Sequence, residues 1–183
     1  MKIVFLSDHC DDFLQTQIEN TLKEYQHLSY HIKEEDFKPC RGCFNCWTKT
    51  PGKCIIATDK ANEINGFCVQ ADVIIILSKI LYGSYSVDIK KYLDRVIPNI
   101  LPYFEMINNE MHHKSRYDKF PSLIIIGYGE ELTDEEKNTF KSLVSRNAIN
   151  FHSPKHFSFA ISSSGEKKKT IDEISRILME EFK

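Results

Sequence analysis

The chain has 183 residues, 42% hydrophobic and 27% charged, with a formal net charge of −2. That length suits one well-cored domain rather than two, and the balance of residue types is that of a globular protein. The near-neutral charge excludes the basic field that nucleic acid or an anionic membrane surface would need. The longest apolar run, residues 73–77, is far short of the ~20 residues of a membrane span. The N-terminal MKIVFLSDHC has no signal-peptide pattern, so a cytoplasmic protein with reduced thiols is expected.

Residues 3–6 form a short apolar run that fits a buried first strand. Leu14, Ile18 and Leu22, extended by Tyr25, recur at helical spacing. Leu28, Tyr30 and Ile32 alternate with polar residues, as on an edge strand. A helix is expected near 59–70 with Ile64 and Phe67 on one face, followed by the β-branched strand 72–77. Ile89, Leu93 and Val96 predict a helix over 87–96 that stops before Pro98. Residues 99–120 lack a clear period and read as an irregular excursion. Residues 121–127 form another buried strand, and Thr133 or Asp134 caps the next helix, with Glu135 and Glu136 in its first turn. Phe157, Phe159 and Ile161 alternate as a fifth strand. The basic run 167–169 reads as a solvated loop before a last helix carrying Ile171, Ile174, Ile177 and Leu178.

Five strands alternating with helices imply one α/β domain over 1–183, with a parallel sheet covered on both faces. The order 2-1-3-4-5 of a flavodoxin-like three-layer sandwich fits this count. It puts a ligand crevice at the carboxyl ends of the first, third and fourth strands, beside loops 7–12, 78–86 and 127–131.

Four of the six cysteines, Cys40, Cys43, Cys46 and Cys54, fall in CRGCFNCWTKTPGKC with the single tryptophan, Trp47. C-x2-C-x2-C with a further cysteine is a spacing used by iron–sulfur clusters. A four-cysteine zinc site is a second possibility, although zinc knuckles usually stand farther apart. The third is reduced thiols in a loop that packs Phe44 and Trp47 against a neighbouring subunit. Cys10 and Cys68 are isolated in sequence, and the adjacent His112 and His113 read as solvated.

The segment 40–54, the loop Ser78-Lys-Ile-Leu-Tyr-Gly-Ser84, the KKYLDR helix end with Asp94-Arg95, and the HH…RYDKFP stretch together resemble the NADPH-dependent FMN reductase and iron–sulfur flavoprotein family. The resemblance covers about residues 40–127. It implies FMN at the strand ends, NAD(P)H as electron donor, and a homodimer or homotetramer. It also implies a [4Fe–4S] cluster on Cys40, Cys43, Cys46 and Cys54 in members that carry one. Carried over loop by loop, it assigns flavin contacts to Ser78, Ile80, Leu81, Tyr82, Gly83 and Ser84, with Lys79 and Leu81 standing where the family has proline and tyrosine. Gly127, Tyr128 and Gly129 would form the opposite wall. The first loop departs from the family's Gly-, Ser- and Arg-rich phosphate cradle. Here Ser7-Asp-His-Cys-Asp-Asp offers one hydroxyl and three carboxylates. Either Ser7, His9 and backbone amides hold the phosphate, or FMN binding is weakened or lost. The expected function is an FMN-dependent NAD(P)H oxidoreductase acting on a small acceptor such as a quinone, with no side-chain catalyst assigned. The alternative is a flavodoxin-fold binding or regulatory subunit that partners a flavin-binding relative. Asp94-Arg95 is expected to be a structural ion pair or a subunit contact.

Overall fold

The computed structural model describes residues 1–8 and 10–182. Its main sheet is parallel and five-stranded. In spatial order the strands are β2 (Gln26–His31), β1 (Lys2–Ser7), β3 (Val73–Lys79), β6 (Ser122–Tyr128) and β7 (His156–Ile161). This is the predicted 2-1-3-4-5 order.

Side chains alternate across the sheet, so each inner strand feeds two cores. Ile3, Phe5, Val73, Ile75, Leu77, Ile124 and Ile126 pack against α1 (Asp12–Leu22) and α6 (Ser164–Glu180). Val4, Leu6, Ile76, Leu123 and Ile125 face the opposite layer, made by α3 (Ala61–Cys68), α4 (Val87–Leu93) and α5 (Asp134–Asn150). The helices start where side chains replace missing backbone partners. Asp11 caps α1, Ser86 caps α4, and Thr133 with Glu136 and Ser163 with Glu166 form capping boxes on α5 and α6.

Three expectations differ. Residues 99–120 are not irregular. After a 3-10 turn at Ile97–Asn99, strands β4 (Ile100–Ile107) and β5 (Glu110–Ser115) form an antiparallel hairpin outside the main sheet. Its turn is Asn108-Asn109, both at positive φ, a conformation asparagine tolerates better than most residues. Phe67 is exposed rather than inward and stacks beside Tyr30. Lys167–Lys169 lie inside α6, which begins at the Ser163 cap rather than after them.

The cysteine segment follows β2 and holds one short helix, α2 (Asn45–Thr48), entered through Phe44 in the left-handed region. It is tied down from two sides. Trp47 Nε1 donates to the Ile100 carbonyl at 2.9 Å, and its ring lies against Phe44 and His113. Just beyond the end of α4, the buried Arg95 donates through Nη1 to the Lys38 carbonyl (2.6 Å) and Asp59 (2.8 Å), and through Nη2 to the Ile56 carbonyl (3.0 Å) and Asp59 (3.1 Å). Arg95 is thus a structural ion pair of the loop. Among the described residues no helix is long and apolar enough to cross a membrane.

Candidate active site

A crevice of about 650 Å³ opens over the carboxyl end of the sheet. This volume lies within the usual range for small-molecule sites, roughly 300–1,000 Å³. One wall is the segment after β3, with Lys79, Ile80, Leu81 and Tyr82. The other runs from Tyr128 and Gly129 through Glu130, Glu131 and Leu132 to Glu136. Cys10 and Asp11 close it at the start of α1, and Ser162, Ser163, Ser164 and Lys167 close it at the start of α6.

The β3 wall is a tight turn. Leu81 and Ser84 exchange backbone hydrogen bonds of 3.0 and 2.9 Å, and the two residues between them, Tyr82 and Gly83, have φ of +53° and +74°. That pair of left-handed residues is the mirror-image hairpin turn for which glycine is the natural second residue. A Cβ at Gly83 would also lie 2.8 Å from Thr139. The turn holds Tyr82 outward with 95% of its surface exposed, an aromatic face offered to the crevice.

Beneath the crevice the two walls are joined by Asp8. This carboxylate is 1% exposed and accepts from the Lys79 amide at 2.5 Å and from the Tyr128 hydroxyl at 2.6 Å. Burial, and then the adjacent Asp8, push the Tyr128 hydroxyl far above the ordinary tyrosine range. Tyr128 is therefore a fixed donor and not an acid. Cys10 Sγ donates to the Asp8 carbonyl at 3.2 Å.

Of the residues expected at the flavin, Ile80, Leu81, Tyr82, Tyr128 and Gly129 line the crevice together. The others support it from behind. Ser7 is the last residue of β1, fully buried, with its hydroxyl 3.2 Å from His31 Nδ1. The Ser78 hydroxyl accepts from the Ser86 amide at 2.9 Å. Ser84 closes the turn. Gly127 sits under Ile80 and Phe140, each 2.6 Å from where its Cβ would be. His9 lies outside the described residues. Glu130 and Glu131 fall in the expected loop 127–131, whereas the start of α6 lies outside the three expected loops. The S-x-x-E capping box at 163–166 was the available signal for that helix start.

The four cysteines do not converge as a ligand set. Among the described residues no three His, Cys, Asp or Glu side chains are gathered to hold a metal ion, and Cys40, Cys43, Cys46 and Cys54 are free thiols. Cys46 sits on α2, which the chain enters through the left-handed Phe44. Cys40 and Cys43 face outward and Cys46 is half-buried. Burial, and then the nearness of Cys54, raise the Cys46 thiol, which makes it less nucleophilic. Phe44 and Trp47 stack on each other within the chain, with ring centroids 5.2 Å apart. His113 belongs to the same packing, donating from Nδ1 to the Leu101 carbonyl at 2.8 Å with its ring tilted against Phe104 and Trp47.

No family model matches the sequence, and no curated protein matches it. Solved structures do match. An azoreductase from Bacillus anthracis str. Sterne superposes with a TM-score of 0.65 at 10% identity, over 99% of this chain and 96% of that one. An NAD(P)H:quinone oxidoreductase from Methanothermobacter marburgensis gives 0.63 at 11% identity, over 97% and 96%. An FMN-dependent NADH-azoreductase from Bacillus anthracis str. Ames Ancestor, solved in complex with FMN, gives 0.63 at 10% identity, over 98% of each chain. At such identities the likeness is one of fold. Strand order, layers and superposition agree: the chain has the flavodoxin-like α/β fold, with its crevice where that fold binds ligands.

Proposed function

We propose that the chain is a flavin-dependent oxidoreductase, taking FMN into the crevice, NAD(P)H as electron donor and a small molecule such as a quinone as acceptor. The observation that carries this reading is the crevice itself, of suitable volume and placed at the switch point between β1 and β3. The fold shared with FMN-dependent azoreductases and a quinone oxidoreductase supports it.

The ring-binding end suits a planar flavin. The turn at Leu81–Ser84 offers main chain and Tyr82 along one side, and on the other Gly129 lets Leu132 pack within 2.8 Å of where its Cβ would be. When bound, the flavin supplies the hydride and electron chemistry, while the protein contributes binding and orientation. Asp8 holds the two walls at a constant separation by fixing the Lys79 amide and the Tyr128 hydroxyl. Leu81, Ile80 and Leu132 exclude water from the floor. No side chain of this chain is assigned a proton transfer. A [4Fe–4S] cluster on Cys40, Cys43, Cys46 and Cys54 is not part of the reading, since the loop would have to rearrange to form one. Acid-labile sulfide in anaerobically purified protein would reverse that choice.

The test is spectroscopic. Protein mixed with FMN is expected to quench the flavin's fluorescence and then to consume NADH or NADPH when a quinone is added. Failure to quench both FMN and riboflavin would reject this reading in favour of a binding or regulatory subunit, the role that an acidic first loop favours. The same reading gives a homodimer or homotetramer, joined through the exposed Tyr103, Phe104, Met106 and Met111 of the hairpin. A monomer mass by light scattering would refute that assembly.

A further inference from the structure

In a doubly wound fold the start of the helix after β1 attracts a ligand's phosphate, because unpaired amides and the helix dipole favour an anion there. In this chain the anion is built in. Asp11, at the N-cap of α1, turns one carboxylate oxygen to the Leu14 amide at 3.0 Å and the other to Lys167 Nζ of α6 at 2.5 Å. Asp11 and Lys167 both line the crevice. The remaining charged groups on its walls are Lys79, Glu130, Glu131 and Glu136, so carboxylates outnumber ammonium groups around the cavity.

We propose that Asp11 is a specificity-determining residue that occupies the phosphate end of the flavin site. A flavin's phosphate then gains no affinity here, and phosphate-free flavins are accepted at least as well as FMN. The inference rests on the flavin reading above. A phosphate dianion entering this corner must either displace the Asp11 carboxylate from both of its donors or lie against it. Like charges in contact near a protein surface repel strongly enough to lower affinity by up to about a thousandfold. Flavin held in this way is bound by its ring alone and exchanges with solution, as a substrate does.

The experiment measures dissociation constants of riboflavin and FMN by fluorescence quenching, for the full wild-type chain and for Asp11→Ser and Asp11→Asn. Both replacements retain a side-chain oxygen for the Leu14 amide, and circular dichroism checks that each is folded. Wild type is expected to bind riboflavin as tightly as FMN or more tightly. In the variants FMN should tighten by about tenfold or more while riboflavin changes by less than about threefold. Added salt should strengthen wild-type binding of FMN but not of riboflavin, because it screens the repulsion. Wild type that prefers FMN by tenfold or more, or variants that change both constants equally, would overturn the proposal and leave the flavin reading standing. Binding of neither flavin to any of the three proteins would reject both.

Discussion

Replacing Asp59 by asparagine should be among the most damaging single substitutions in this chain, although it lies far from the crevice. The Asp59 carboxylate and the Arg95 guanidinium are almost wholly buried, at 3% and 0% side-chain exposure, and meet in a two-pronged pair at 2.8 and 3.1 Å. Asparagine keeps the size but leaves the guanidinium charge without its counter-ion inside the protein. Breaking a buried pair from one side costs about 3–5 kcal/mol. For a domain of this length each kcal/mol moves the midpoint by roughly 2–4 °C, so a fall of about 6–20 °C is expected by circular dichroism at neutral pH. Adding Arg95→Met removes the stranded charge, so the double variant should be less destabilised than the sum of the two single ones, with a coupling of about 1–3 kcal/mol. Acid adds a second readout. Burial pushes the Asp59 carboxyl up, but the Arg95 hydrogen bonds and the amides of Lys38 and Ala61 outweigh it and hold it below the usual carboxylate range. A carboxylate lowered in the folded state stabilises in full above its unfolded pKa of about 3.9, and that stability is lost as pH falls through the folded value. Wild type should therefore lose more stability than Asp59→Asn on acidification below about pH 4. A midpoint within about 2 °C of wild type for Asp59→Asn would refute the clamp.

Other outcomes follow from the same geometry. Tyr128→Phe leaves buried Asp8 short of a donor and should cost about 1–3 kcal/mol in urea unfolding, with weaker flavin quenching because the walls lose a shared anchor. Gly127→Ala forces a methyl group onto Ile80 and Phe140, and should cost about 1–3 kcal/mol in the same assay. Burial pushes Tyr85 up to about 12 and raises Tyr92 well above the ordinary tyrosine range. Tyrosines raised on folding stabilise below their unfolded pKa of about 10, and that stability is lost as pH rises beyond it. Their absorbance change should thus appear as one step coincident with alkaline unfolding, not as a smooth titration. Trp47→Phe removes the hydrogen bond to Ile100 and should cost about 1 kcal/mol, with faster amide exchange confined to the hairpin and the cysteine segment.

Strands β3 and β6 were legible because a continuous β-branched run leaves few alternatives, and five strands alternating with helices fit the observed sheet order. The hairpin was not, because Tyr103, Phe104, Met106 and Met111 are exposed and no face carries a buried period; only Asn108-Asn109 marked the turn. Ser7 was read as the first residue of a loop, yet β1 continues one residue farther and buries it against His31. The composition of Lys167–Lys169 reads as a loop, but the capping box just before them starts a helix, which leaves Lys168 and Lys169 exposed and brings Lys167 to Asp11. Asp59 and Arg95 stand 36 residues apart, and no local pattern can pair them. Clusters of cysteines suggest ligation by spacing alone, but backbone turns decide where thiols point.

The Arg95 side chain closes a span of 57 residues back to Lys38 and one of 39 to Ile56, the reach that a cross-link would have in a cysteine-rich loop. Unlike a covalent bridge, a guanidinium neither restricts the unfolded chain nor depends on an oxidant. The Arg95 tether itself is therefore independent of the redox state of its surroundings, and the exposed Cys40 and Cys43 take no part in it.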